Sequence, residues 1–300
     1  MEGTIAKQKV IITYLIFAFS LAWAMWGTLA LLEIDMSSSL GVAVLIASMW
    51  TPSAAVLITK KLNGGNRMIE PSFKPKFKGN VRWYLIAWLV PVATGLLGGA
   101  IYFAIFPQHF DSGLGLIRTA LEQEQPGIAL TDSAVQTVFV SQALLVITVA
   151  VALAVPRTLG EEIGWRGFLY PAVRNRTTAV KAHIYCGVIW GLWHAPIIAM
   201  GHNYGVGYPW FPWLGILAMT VFCMSVGVFL SYITDQSGSI WPATLAHAAN
   251  NAAIGLSFLF ASSDLSLDNT LVPGFIIGVP YTLLGAVLLV LYARKNTANR

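Results

Sequence analysis

R-T-L-G-E-E-I-G-W-R-G-F-L-Y-P, from Arg157 to Pro171, closes a long apolar run that opens near Ala134. A run of this length predicts a membrane-spanning helix. Charge at its end predicts a functional interior, because a charged side chain at bilayer depth costs about 2.5–3.5 kcal/mol on insertion scales. On a helix Glu162 and Arg166 lie four apart on one face and can pair. Glu161 lies about 100° round the axis from Glu162. One carboxylate can thus be held by arginine while the other stays free for chemistry. Read alone, Glu162–Arg166 is equally well a structural ion pair at a helix end.

Outward from this stretch the chain is apolar. It has 300 residues, 56% hydrophobic and 10% charged, with a mean hydropathy of +0.68; soluble domains carry about 25% charged residues. The expected fold is all-α: one polytopic membrane domain over residues 1–300, with about eight transmembrane helices. The candidate segments are 10–32, 40–62, 83–106, 134–155 and beyond, 184–200, 213–233, 240–260 and 271–292. The first follows Lys7 and Lys9, but its apolar run is too long for a signal peptide and reads as a retained span. The two cysteines, Cys186 and Cys223, sit in apolar segments, which excludes a disulfide framework and a Cys-based zinc site.

The net charge of +5 reports orientation, and no nucleic-acid partner is expected. With an even number of spans, all Lys and Arg except Arg118 fall on one side. That side is read as cytoplasmic and holds both termini. Arg118 shares its loop with Asp111, Glu122, Glu124 and Asp132. The 63–80 loop is basic and broken by Gly and Pro, as expected near anionic headgroups. The 107–133 loop is expected to carry a short amphipathic helix. The 201–212 loop, with Tyr204, Tyr208, Trp210, Phe211 and the adjoining Trp213, reads as an interfacial aromatic belt. No internal repeat is visible, which weighs against a transporter.

Further polar residues interrupt the later segments: His194 in W-G-L-W-H-A-P, then His247, Asn250 and Asn251 in H-A-A-N-N. His247 and Asn251 share a helical face, as do Trp190 and His194. Pro196 is expected to bend the helix beside His194. Asn250 is expected to face away and bond a neighbouring helix. His183, His202 and His109 read as non-catalytic. Counting 1.5 Å per residue, His247 lies roughly 10 Å, and His194 and Glu161 roughly 15 Å, from the cytoplasmic ends of their segments. The three can meet at similar depth.

A carboxylate, two imidazoles and an amide at one buried point suit hydrolysis. The glutamate can take a proton from water. His and Asn donors can stabilise a tetrahedral oxyanion. The alternative is zinc held by Glu161, His194 and His247 with an open position for water. Taken singly, each histidine is more often a hydrogen-bonded core residue.

These residues resemble the CAAX protease and bacteriocin-processing (CPBP) family of integral-membrane endopeptidases, which includes the eukaryotic type II CAAX prenyl protease. The family pattern is E-E-x-x-x-R, F-x-x-x-H and H-x-x-x-N. The matching positions are Glu161, Glu162 and Arg166, then Trp190 to His194, then His247 to Asn251. The resemblance covers roughly residues 153–259, the expected catalytic core. It implies Glu161 as general base aided by Glu162, Arg166 orienting the glutamates, and His194, His247 and Asn251 binding the oxyanion. It implies a protein or peptide substrate at the bilayer and no obligatory metal, with zinc as the alternative. Trp190 stands where the motif has phenylalanine, which puts pocket size in question. The setting read from the compact, short-looped chain is a bacterial plasma membrane. Two rival readings are a non-catalytic immunity or regulatory scaffold of the same family and an ion or solute transporter.

Overall fold

The computed structural model of the protein describes residues 2–298 apart from 64–72, 125–126, 128–129, 263–264 and 266–268. Among the described residues it is all-helical. In chain order the helices are α1 (Glu2–Leu31), α2 (Ser39–Ser48), α3 (Thr51–Leu62), α4 (Val81–Ile105), α5 (Gly115–Glu124), α6 (Asp132–Leu145) and α7 (Val151–Gly164). They continue with α8 (Tyr170–Arg174), α9 (Ala179–Trp193), α10 (Ala195–Ala199), α11 (Trp213–Ser237), α12 (Trp241–Phe258), α13 (Leu271–Ile277) and α14 (Val279–Ala298).

Four helical stretches are long and apolar enough to cross a membrane, and six if the bent pairs α2–α3 and α13–α14 each count as one span. About eight were expected. The two expected segments that fall outside this count are α9–α10 and α12. Helix α9 has 15 residues and breaks at His194, while α12 carries His247, Asn250 and Asn251. The polar site itself is what weakens them as apolar spans. Elsewhere the outward faces are apolar, as a lipid-facing bundle requires: Ile12, Leu57, Leu89, Leu153, Leu217 and Leu283 are all exposed.

Two π-helical turns, Val146–Ala150 and Trp165–Leu169, join α6, α7 and α8 into one stretch of 43 residues, Asp132–Arg174. At 1.5 Å per residue it is roughly 65 Å long, about twice the hydrocarbon thickness. Helix α7 is the centre of the site, and small residues let it sit deep. A Cβ on Gly160 would come within 2.8 Å of the Met49 carbonyl and the Trp50 ring. One on Gly164 would collide with Pro52 and lie 2.6 Å from the Tyr14 hydroxyl. Thr158 ties α7 to α12 through a 3.1 Å hydrogen bond from its hydroxyl to the Thr244 carbonyl. Helix α1 is locked to α9 by indoles: Trp193 Nε1 donates to the Ala18 carbonyl at 3.0 Å and Trp23 Nε1 to the Trp193 carbonyl at 2.9 Å.

The loops confirm some expectations and correct others. The 107–133 segment does carry a short amphipathic helix, α5, with Ile117 buried against Val135. Arg118 pairs with Asp132 at 2.6 Å. The aromatic loop divides in two. Trp210 (82% exposed) and Trp213 (72%) face outward as a belt would. Tyr204 and Tyr208 are instead buried in the core, because glycines make room for their rings: Gly274 faces Tyr204, and Gly215 faces the Tyr208 hydroxyl. Of the basic residues read as cytoplasmic, Arg67 and Arg300 lie outside the described residues, as do the side chains of Lys7 and Lys295.

Candidate active site

Glu161 and Glu162 sit one turn before the π-helical segment that carries Trp165 and Arg166. Such single π-turns inside α-helices are frequent at functional sites. Glu161 is 2% exposed and Glu162 is 0% exposed, yet their surroundings differ. Both donors to Glu162 meet one oxygen: Arg166 Nη1 and His247 Nδ1 each lie 2.9 Å from Oε1. The partner of Glu162 therefore includes a histidine from α12, 85 residues away in sequence, as well as the arginine one turn on. Glu162 Oε2 is buried and takes no hydrogen bond.

Glu161 is held by indoles. Trp190 Nε1 donates to its Oε2 at 2.8 Å and Trp165 Nε1 to the same oxygen at 3.1 Å. Among the described residues no hydrogen bond reaches Oε1. Trp190 is the hub of the cluster: the Arg166 guanidinium stacks 4.4 Å from its ring, and His247 meets it edge-on at 5.2 Å. The tryptophan at the motif's phenylalanine position thus adds a hydrogen bond that phenyl cannot make.

His194 occupies the break between α9 and α10. Pro196 stands in the first turn of α10, where a missing N–H costs nothing, so it follows the break instead of kinking a continuous helix. His194 Nδ1 lies 2.8 Å from the Trp190 carbonyl. A carbonyl only accepts, so Nδ1 carries the proton. The same holds for His247, whose Nδ1 meets a carboxylate already paired with arginine. In both rings Nε2 is left as the free nitrogen, an acceptor when neutral and a donor when protonated.

Glu161, His194, His247, Asn250 and Asn251 line one cavity of about 430 Å³, together with Trp190 and Arg157. The acid of α7 and the imidazoles of α9–α10 and α12 therefore do meet, while Glu162 and Arg166 stand behind them. Asn251 is exposed, and its Oδ1 accepts from Asn250 Nδ2 at 3.3 Å. Asn250, expected to face away, instead lines the cavity; it is three residues from His247 and so flanks the same face. His202, read as a loop residue, also lines it. His183 does not: it is buried between the rings of Tyr170 and Tyr292. His109 hydrogen-bonds the Tyr102 hydroxyl at 2.6 Å.

Among the described residues no group of three His, Cys, Asp or Glu is placed to hold a metal ion. Glu161, His194 and His247 share a cavity without forming such a group, and no step below runs through a metal. Sequence reasoning did not find the indole donors. Trp165 was within reach, since it stands four residues from Glu161 on the same helical face; Trp190 reaches Glu161 only through tertiary packing.

The comparisons with known proteins point the same way. A 44-residue stretch is 41% identical to CAAX prenyl protease 2 of Methanococcus maripaludis, covering 15% of this chain and 16% of that protein. Residues 140–253 match the family described as type II CAAX prenyl endopeptidase, Rce1-like. That range contains Glu161, Glu162, Arg166, His194, His247 and Asn251. Over residues 140–253 the chain, an all-helical integral membrane protein, is similar to the Rce1-like type II CAAX prenyl endopeptidase family.

Proposed function

We propose that the protein is an intramembrane endopeptidase that hydrolyses a peptide bond near the C-terminus or in a membrane-proximal segment of its substrate. The observation that carries this reading is the asymmetry of the two carboxylates. Glu162 is ion-paired with the Arg166 guanidinium and hydrogen-bonded by His247 Nδ1 at the same oxygen. Glu161 is fixed through one oxygen by two indoles and belongs to the lining of a cavity large enough for a peptide segment.

In this mechanism Glu161 Oε1 takes a proton from a water molecule while the water oxygen attacks the scissile carbonyl carbon. The carbonyl π-electrons move onto oxygen. That oxyanion is stabilised by the Asn amide N–H groups, whose dipoles count for more in a water-poor site, and by an imidazole Nε2 when that nitrogen has taken up a second proton. The tetrahedral intermediate then collapses, the C–N bond breaks, and the proton held by Glu161 passes to the leaving nitrogen. Arg166 and Glu162 act through His247, fixing its tautomer and ring orientation. No metal is obligatory in this reading. The setting it fits is a bacterial plasma membrane, with substrate reaching the cavity from the bilayer or its surface.

The test is turnover of internally quenched peptides by the purified, membrane-reconstituted protein, comparing wild type with Glu161→Gln and His247→Ala. Both variants should lose at least about a hundredfold, the usual worth of a positioned acid–base group. A chelator should leave wild-type activity unchanged. Equal turnover in all three proteins ends the proposal.

A further inference from the structure

Residues 73–82, F-K-P-K-F-K-G-N-V-R, hold Lys74, Lys76, Lys78 and Arg82 and no Asp or Glu. The segment runs into α4 at Val81, where a candidate membrane span begins. Lys76, Lys78 and Arg82 are exposed, and among the described residues none of the three is ion-paired. Apolar side chains are interleaved with them: Phe77 is 60% and Val81 58% exposed. Such a mixture at the end of a span suits phosphodiester headgroups over acyl chains. The cations meet phosphate, and the apolar groups enter the layer beneath. A soluble phosphate compound would use the charges and leave Phe77 and Val81 in water.

The same segment is tied to two elements of the active site. Trp241 Nε1 donates to the Phe73 carbonyl at 2.6 Å, the Ser239 hydroxyl to the Lys74 carbonyl at 3.0 Å, and Asn80 Nδ2 to the Ser237 carbonyl at 3.1 Å. These bonds fix it over the α11–α12 junction, at the start of the helix that carries His247. On its inner side the Phe73 ring lies against the π-turn Trp165–Leu169: a Cβ on Gly167 would come 3.0 Å from the ring. Gly167 adjoins Arg166, the partner of Glu162, and the same turn carries Trp165, a donor to Glu161. A ligand that holds the segment down therefore bears on the turn that orients both carboxylates.

We propose that residues 73–82 form a binding site for anionic phospholipid headgroups, and that headgroups bound there press Phe73 onto the π-turn and stiffen it. The proposal does not require the endopeptidase reading, and its test uses no turnover. The full chain, Cys-free through Cys186→Ser and Cys223→Ser, carries a bimane label at Leu85→Cys, an exposed position one turn into α4. It is placed in phosphatidylcholine nanodiscs containing a minor fraction of lipid brominated in the upper acyl chain, either phosphatidylglycerol or phosphatidylcholine. Quenching should report enrichment of phosphatidylglycerol by about fivefold or more, the worth of a single cation at an anionic surface. Lys76→Gln/Lys78→Gln/Arg82→Gln should abolish the enrichment. Lys61→Gln/Lys181→Gln/Arg294→Gln, which removes as many exposed cations elsewhere, should keep it. Hydrogen exchange of the Trp165–Leu169 amides should slow severalfold in phosphatidylglycerol discs relative to phosphatidylcholine discs. Phe73→Ala should keep the enrichment and lose the slowing. Equal quenching by the two lipids, enrichment that survives loss of Lys76, Lys78 and Arg82, or exchange indifferent to the lipid overturns the proposal. So does loss of the enrichment when inorganic phosphate replaces chloride at constant ionic strength, which would assign the cations to free phosphate.

Discussion

At Glu161 the two donors are indoles, and at Glu162 they are a guanidinium and an imidazole. An indole N–H orients a carboxylate without neutralising it; a guanidinium does both. This difference makes two predictions. Trp190→Phe keeps the aromatic packing and removes one N–H from Glu161. A hydrogen bond to a charged group is worth about 1.5–3 kcal/mol, so peptide turnover should fall roughly tenfold or more. The melting temperature should move little, since the ring is retained; unchanged turnover would mean the indole does not hold Glu161 in place. Arg166→Leu acts on stability instead. It leaves Glu162 fully buried with His247 as its only partner, and breaking a buried pair costs about 3–5 kcal/mol. Thermal unfolding in detergent should drop by several degrees. Arg166→Lys should recover part of this loss, because the charge returns but the planar stack over Trp190 does not.

At the scale of elements, the site is held by helices that approach closely where side chains are small. Gly160 and Gly164 let α7 press against the α2–α3 junction. Gly160→Leu would push α7 off Met49 and Trp50 and displace Glu161, the next residue. Overpacking typically costs about 1–3 kcal/mol, so lower expression and a lower melting temperature are expected, with turnover lost in proportion to the displaced helix. A variant that melts and turns over like wild type would show that α7 does not depend on this contact. This is also where the sequence was legible and where it was not. The i,i+4 spacing of Glu162 and Arg166 predicted their contact because both lie on one helix. His247 as second partner of Glu162, and Trp190 as donor to Glu161, depend on how α9 and α12 rotate against α7, which a single sequence does not encode locally. Pro196 marked the right place but the wrong event, since proline serves a helix start as readily as a bend.

For the whole molecule, the distribution of charge is a statement about topology. All Lys and Arg but Arg118 fall in segments that an even number of spans would bring to one side, and Arg118 is engaged by Asp132 across its own loop. Length and composition alone count four to six spans, because α9 breaks off after 15 residues at His194 and α12 carries His247, Asn250 and Asn251. If these two also cross, the count becomes even at eight, and the basic residues near Lys9, Lys61, Arg174 and Arg294 share a face that the positive-inside rule assigns to the cytoplasm. Single cysteines placed at exposed loop positions test this in a Cys-free background of Cys186→Ser and Cys223→Ser. A membrane-impermeant maleimide should label a cysteine at Glu122 in intact cells, and label one at Lys78 or Arg176 only after the membrane is opened. Labelling of Lys78 and Glu122 from the same side would require α4, the one long helix between them, not to cross the membrane.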